Sequence, residues 1–231
     1  MSSIAERYQR LRAAVPPEVT IVLAAKRRTA EEVRQALDAG ATDFGHNYVQ
    51  EAAALIADLG EDATRGRWHM IGHLQKNKIN QALPLFHTVQ TVDSLKSAQD
   101  LSNRVERAGK AILPILLEIN VAGEASKAGI HPEAHAPFAD FLQQLVRDIA
   151  ALPHLRLDGL MTMGPPRTEP EGMRPYFRQV KEWLDLGRVL ALPTAPMTQL
   201  SMGMSSSYAV AIEEGATMIR VGSLVFGPRS T

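Results

Sequence analysis

The sequence predicts a single (β/α)8 TIM barrel: eight parallel strands closed on themselves and wrapped in helices. Strand-like apolar runs and amphipathic helical stretches alternate eight times along the chain. The alternation runs through 231 residues without a linker that would divide it, and that length lies close to the ~250 residues typical of the barrel. An internal echo adds to this, since D-A-G-A-T-D-F-G and E-E-G-A-T-M-I-R-V-G share a helix, Gly, Ala-Thr, strand order. Residues 1–231 therefore read as one domain, with residues 1–18 an N-terminal helix packed on the barrel.

Taken in order, Ile4, Tyr8 and Leu11 recur at helical spacing, and Pro16 and Pro17 end that helix. Residues 19–28, V-T-I-V-L-A-A-K-R-R, form an apolar, β-branched run that reads as a buried parallel strand ending on a lysine. Alternation puts Val22, Ala24 and Lys26 on one face and Ile21, Leu23 and Ala25 on the other. Thr29 and Glu32 make a capping box for the next helix, Val33, Ala36 and Leu37 its apolar stripe, and Gly40 its C-terminal stop. A short strand at 41–44 leads through G-H-N-Y-V-Q-E into a helix ending near 59, and R-W-H-M-I-G-H supplies the third strand. Helical residues near 77–83 precede a strand at 87–92, and Asp93 or Ser94 caps the helix running towards Ala108.

The fifth strand, 112–121, is nearly continuous in apolar residues, and A-G-E-A-S-K-A-G-I-H-P after it is too polar to bury and reads as a functional loop. A long helix over about 132–151, a strand at 155–163, the break G-P-P-R-T-E-P and a helix carrying Tyr176, Val180, Trp183 and Leu184 follow. The last strands, 198–202 and 217–221, flank a short helix with Tyr208, Ala211 and Ile212 on one face and Gly215 at its end.

Charge is balanced, with 25 basic and 25 acidic residues, so no global field recruits nucleic acid and any anion must be held by a local site. The chain has no cysteine, which excludes disulfides, thiolate metal sites and cysteine nucleophiles and fits a reducing compartment. The charged N-terminus lacks the apolar core of a signal peptide, and no segment reaches the length of a membrane-spanning helix. A soluble, cytoplasmic protein with no nucleic-acid or membrane partner is expected.

In a closed barrel the first strand lies beside the eighth, so the Lys26 end meets I-R-V-G-S-L-V-F-G, and strand seven adds S-M-G-M-S-S-S-Y. Residues 201–207 offer backbone N–H groups and hydroxyls ahead of a short helix, Gly222 and Ser223 offer the same next door, and this corner of a barrel is a frequent phosphate site. An ordinary serine cap and glycine turn is the structural alternative. Arg220 sits mid-strand with its side chain opposite those of Ile219 and Val221; it needs a partner in the barrel, either a carboxylate such as Glu118 or a bound ring or anion. A lysine, a phosphate cradle and an inward arginine together suggest pyridoxal 5′-phosphate, with the lysine forming an imine. The pairs His69 and His73, and His131 and His135, lack the glutamate of a zinc-protease helix, so no metal is expected and His69 reads as a packed strand histidine. Lys76, Lys78, Lys127 and Arg229 either guide an anionic ligand or are solvated loop charges.

The segments A-A-K-R-R, F-G-H-N-Y-V-Q-E, W-H-M-I-G-H-L-Q-K-N-K, V-D-S-L, I-N-V-A-G-E-A-S-K-A-G, G-L-M-T-M, R-P-Y-F, S-M-G-M-S and I-R-V-G-S-L-V-F-G, in this order from about 20 to 229, resemble the pyridoxal phosphate homeostasis proteins, the YggS and PROSC-like family. The resemblance implies a barrel like the N-terminal domain of alanine racemase that carries and buffers pyridoxal 5′-phosphate (PLP) through a Schiff base to Lys26, takes part in intracellular vitamin B6 homeostasis, has PLP-dependent apoenzymes as partners and is a monomer. It implies that Arg220 faces the pyridine nitrogen, that Ser205, Gly222 and Ser223 hold the phosphate, that Asn47 and His73 line the pocket, and that Met202 lies near the ring. Three places depart from the family pattern, one of them Ser206 and Ser207, which stand where the family has Asn-Asp or Ala-Asp and should leave backbone phosphate contacts intact. His46 stands where Gly-Glu-Asn-Tyr has its glutamate, which would put a titratable imidazole near the cofactor, and Arg28 replaces a lysine and cannot form an imine.

An arginine beside the pyridine nitrogen weakens the ring as an electron sink, so transamination is not expected and a non-catalytic carrier is favoured. The alternative, a low-activity PLP-dependent racemase, needs a second acid–base group, and none of Tyr8, Tyr48, Tyr176 and Tyr208 is marked out by the sequence for that role. A third reading is a barrel enzyme whose Lys26 forms an imine with a phosphorylated substrate.

Overall fold

The computed structural model describes residues 2–124, 128–166 and 168–228. Eight strands pair in parallel in chain order: β1 (Thr20–Ala24), β2 (Asp43–His46), β3 (Arg67–Met70), β4 (Thr88–Val92), β5 (Leu113–Glu118), β6 (Leu155–Met161), β7 (Gln199–Ser201) and β8 (Met218–Val221). The barrel closes where β8 pairs with β1, with Arg220 in register with Val22. The expected (β/α)8 architecture is therefore the observed one.

Nine helices of the described residues surround the strands: α1 (Ile4–Ala14), α2 (Ala30–Asp38), α3 (Val49–Leu59), α4 (Ile79–Ala82), α5 (Leu95–Arg107), α6 (Phe138–Ala150), α7 (Arg174–Arg188), α8 (Tyr208–Glu213) and α9 (Ser223–Phe226). Side chains start several of them. Ser3 with Glu6, Thr29 with Glu32, and Ser94 with Ser97 form reciprocal caps on α1, α2 and α5, satisfying first-turn N–H groups that have no partner within the helix. After α2 the chain reverses at Gly40, whose φ of 96° is open to glycine at no steric cost.

Two helices differ from the expectation of sequence periodicity. The helix expected over about 132–151 begins only at Phe138, because Pro132 starts a separate 3-10 turn and Pro137, at the N-cap, disfavours helical geometry in the residue before it. The helical stretch expected near 77–83 is a 3-10 turn, Lys76–Lys78, followed by the single-turn α4, which stops ahead of Pro84. Among the described residues, no helix is long and apolar enough to cross a membrane.

Alternation divides the strands between two environments. Leu23, Phe44, Trp68, Leu200, Ile219 and Val221 face the helices and form the main apolar core. The barrel interior instead contains buried polar groups, among them Asp43, His69, Gln90, Ser201 and Arg220. Helix α1 packs against α2 and α9 and thereby joins the first and last segments of the fold.

Candidate functional site

At the carboxyl ends of β1 and β8, and after β7, lies a cavity of about 380 Å³, within the range of about 300–1,000 Å³ usual for small-ligand sites. Three cationic residues, Lys26, Arg28 and Arg220, line it together with Ser205, Ser206 and Ser223, and Gly222 and Met204 complete the polar and apolar walls. Among the described residues, no carboxylate lines it.

Lys26 lies in the turn directly after β1 and is partly exposed. Arg27 follows at a φ of 57°, left-handed for a non-glycine residue, and its N–H donates to the Glu51 carboxylate on α3, which holds the turn in place. Arg28 reaches the other way. Its Nη1 lies 3.1 Å from Glu32, its Nη2 donates to the Gly227 carbonyl at 2.7 Å, and its guanidinium stacks 5.3 Å from the centroid of Phe226. One wall of the cavity is therefore fastened to the chain that follows β8.

Arg220 enters from the barrel interior. Its Nη1 donates to Ser201 Oγ at 2.7 Å and its Nη2 to the Thr162 carbonyl at 2.8 Å. These neutral acceptors, rather than the Glu118 carboxylate considered from the sequence, hold it. Burial pulls its pKa down to about 10, with the charge of Glu118 opposing the shift, so it is a cation at neutral pH. The serine loop and the last strand meet where the Gly222 N–H donates to Ser205 Oγ at 3.3 Å. Gly203 makes that loop possible: its φ is 88°, and a Cβ there would lie 2.5 Å from the Cβ of Ala211 on α8.

The structure thus brings together Lys26, Ser205, Arg220, Gly222 and Ser223. Asn47 and His73 instead line a second cavity of about 390 Å³ at the ends of β2 and β3, with Tyr48, Gln75 and Lys78. His73 Nδ1 lies 3.6 Å from Asp93. Met202 does not line the Lys26 cavity; it is buried in the core under the helices, and Met204, two residues on, faces the cavity. Parity accounts for this, since Ser201 points inward and sends its neighbour Met202 outward.

His46, expected near the cofactor, also faces outward. Its ring centroid lies 6.1 Å from that of Trp68, neither ring nitrogen has a hydrogen-bond partner, and burial lowers its pKa to about 4, weakly opposed by Glu51. His69 is more than a packed histidine, because both of its nitrogens are bonded inside the barrel, to Asp43 and Gln90. Of the candidate guiding charges, Lys76 pairs with Asp100 at 2.9 Å and Lys78 lines the second cavity, while Lys127 and Arg229 lie outside the described residues.

Tyr8 donates to the Gly40 carbonyl, and Tyr48 is 65% exposed beside the second cavity. None of the four tyrosines lines the Lys26 cavity. Sequence reasoning does not select Met204 as a lining residue, although it lies two residues from Met202; it notes Arg28 only as the replacement of a lysine, and Ser206 only within the serine loop 201–207 and as a departure from the family pattern.

A closed parallel barrel with a cationic, serine-rich cavity where its first and last strands meet defines a (β/α)8 protein whose cavity lies at the carboxyl ends of its strands. The family model described as "Alanine racemase, N-terminal domain" matches residues 1–230. A pyridoxal phosphate homeostasis protein of Pseudomonas aeruginosa is 38% identical over 239 aligned positions, covering 99% of this chain and 97% of that one, and one of Escherichia coli K12 is 35% identical over 222, covering 93% and 87%. The structure of PipY of Synechococcus elongatus without PLP superposes with a TM-score of 0.88 at 33% identity, covering 97% of this chain and 100% of that one, and the PLP-bound form with 0.86 at 32%. The chain belongs to the pyridoxal phosphate homeostasis protein family. An alanine racemase of Clostridium difficile shares the fold alone, with a TM-score of 0.80 at 12% identity over 99% of this chain and 57% of that one.

Proposed function

We propose that this chain, acting as a single domain, binds PLP reversibly in the Lys26 cavity and serves as a carrier and buffer of the cofactor in vitamin B6 homeostasis. The observation that carries the reading is the composition of the cavity: a primary amine, two guanidinium groups and three serines, with no carboxylate among the described lining residues. That set fits a ligand with a dianionic phosphate at one end and an aldehyde at the other. The homologues named for PLP homeostasis and the PLP-bound form of PipY support the same ligand.

When bound, PLP supplies an aldehyde that condenses reversibly with a primary amine and releases water. Lys26 would provide that amine from the turn after β1 that the Arg27 N–H fastens to Glu51. Ser205, Gly222 and Ser223 would hold the phosphate, with Ser206 and Arg28 adding a hydroxyl and a positive charge to the same wall. Arg220 has no acceptor atom, so against the ring nitrogen it would act as a donor and leave that nitrogen unprotonated. Asn47 and His73 line the separate cavity at the ends of β2 and β3 rather than the Lys26 cavity, and Met204 rather than Met202 would lie beside the ring.

A non-catalytic role is favoured over a racemase, because racemisation needs a second acid–base group facing the ligand and the tyrosines lie elsewhere. The setting proposed is the cytoplasm, and the form a monomer that exchanges PLP with apoenzymes. The testing measurement is the visible spectrum with added PLP, followed by borohydride reduction and mass spectrometry. A reduced adduct on Lys26 that disappears in Lys26→Ala is the expected result, and an unchanged spectrum in that folded variant would overturn the assignment.

A further inference from the structure

Behind Arg220 the barrel interior holds one continuous line of hydrogen bonds, and the donor-only guanidinium fixes its direction at one end. A guanidinium has only donors, so the bond of 2.7 Å between Arg220 Nη1 and Ser201 Oγ makes the serine oxygen the acceptor. The Ser201 hydroxyl proton is then directed onward to Gln90 Oε1, at 2.7 Å. With its oxygen so used, Gln90 presents Nε2 to His69 Nδ1 at 3.1 Å and to Met218 Sδ at 3.0 Å. A His69 that accepts at Nδ1 carries its proton on Nε2, and Asp43 Oδ1 lies 2.9 Å away to receive that proton's hydrogen bond. Asp43 also accepts from Thr42 Oγ1 at 2.7 Å, with the Arg67 guanidinium 3.9 Å distant. All five members are buried, and each is contributed by a different strand: β8, β7, β4, β3 and β2.

We infer that Gln90 and His69 are positioning residues for Arg220, and that the chain from Asp43 to Arg220 fixes His69 as the neutral imidazole protonated on Nε2. Gln90 has no proton to relay, so the line transmits orientation and polarisation rather than charge. Its arrangement separates two tasks that a neighbouring carboxylate would confuse. Arg220 is held rigidly, yet its direct partners are a hydroxyl and a carbonyl, and the carboxylate that ends the line lies at the start of β2. The positive charge remains directed at the cavity instead of being neutralised behind it.

The inference concerning the cavity rests on the PLP reading; the inference concerning His69 does not. Long-range proton–nitrogen NMR of the ligand-free protein at pH 7 is expected to show His69 with an unprotonated Nδ1 and a protonated Nε2. An Nδ1-protonated tautomer or an imidazolium would overturn the chain. In Gln90→Leu, which cuts the line two members from Arg220, the affinity for PLP is expected to fall by about 2- to 30-fold and the absorption band of bound PLP to shift. Ser201→Ala, cutting next to Arg220, is expected to do the same and stands in if the first variant does not fold. Wild-type affinity and an unmoved band in a folded variant would overturn the positioning role. If the wild type binds no PLP while His69 shows the expected tautomer, the PLP reading fails and the chain stands.

Discussion

His46 is a buried imidazole with both nitrogens unpartnered and a pKa lowered to about 4 by burial. The unfolded chain takes up this proton near pH 6.5 and the folded chain only near 4, so stability is fully present above pH 6.5 and falls as the pH drops between those values. The difference corresponds to about 3 kcal/mol. His46→Phe keeps a flat ring beside Trp68 and removes the titration; chemical denaturation at pH 7 and pH 4.5 is expected to show a smaller acid loss in this variant than in the wild type. The residue was visible in the sequence as a histidine in place of a glutamate, but its direction was not. Parity within β2, with Asp43 and Gly45 inward and Phe44 and His46 outward, decides that it faces Trp68 rather than the ligand.

Between elements, the glycine with least room for a side chain is Gly159, where β6 meets β7. A Cβ at Gly159 would lie 1.8 Å from the carbonyl oxygen of Gln199, a backbone atom that moves only with its strand. Gly159→Ala is therefore expected to part β6 from β7 and cost about 3 kcal/mol in denaturant unfolding. Because Thr162, directly after β6, and Ser201, on β7, hold Arg220, the variant is also expected to bind PLP more weakly in a spectroscopic titration. The capping box on α2, and Ser94 as one of two candidate caps for α5, were legible because a cap needs only a short run of neighbouring residues. The start of α6 was not, because the apolar pattern continues across Pro132 and Pro137 while the backbone cannot. The Gln90 line was illegible for a different reason. Its members come from five strands, and strand alternation sorts residues by face without saying which of them meet across a barrel.

For the whole molecule, closure is the decisive event, and the sequence disclosed it: eight alternating units placed Lys26 beside Arg220 before any geometry was available. It did not disclose how the seam is fastened. Arg7 on α1 donates to the Val225 carbonyl, and Arg28 reaches the Phe226 and Gly227 carbonyls, so two arginines from the first part of the chain grip α9. Arg7→Ala leaves every cavity-lining side chain in place, yet is expected to lower Tm by about 4 °C in a thermal melt. The seam also gives the ligand a relation to time. On the ribosome Lys26 appears early, while Arg220, Gly222 and Ser223 follow only after nearly all of the barrel has been made. Under the proposed assignment a nascent or truncated chain would have the amine without the grip, and retention of PLP would report that translation ran to the last strand.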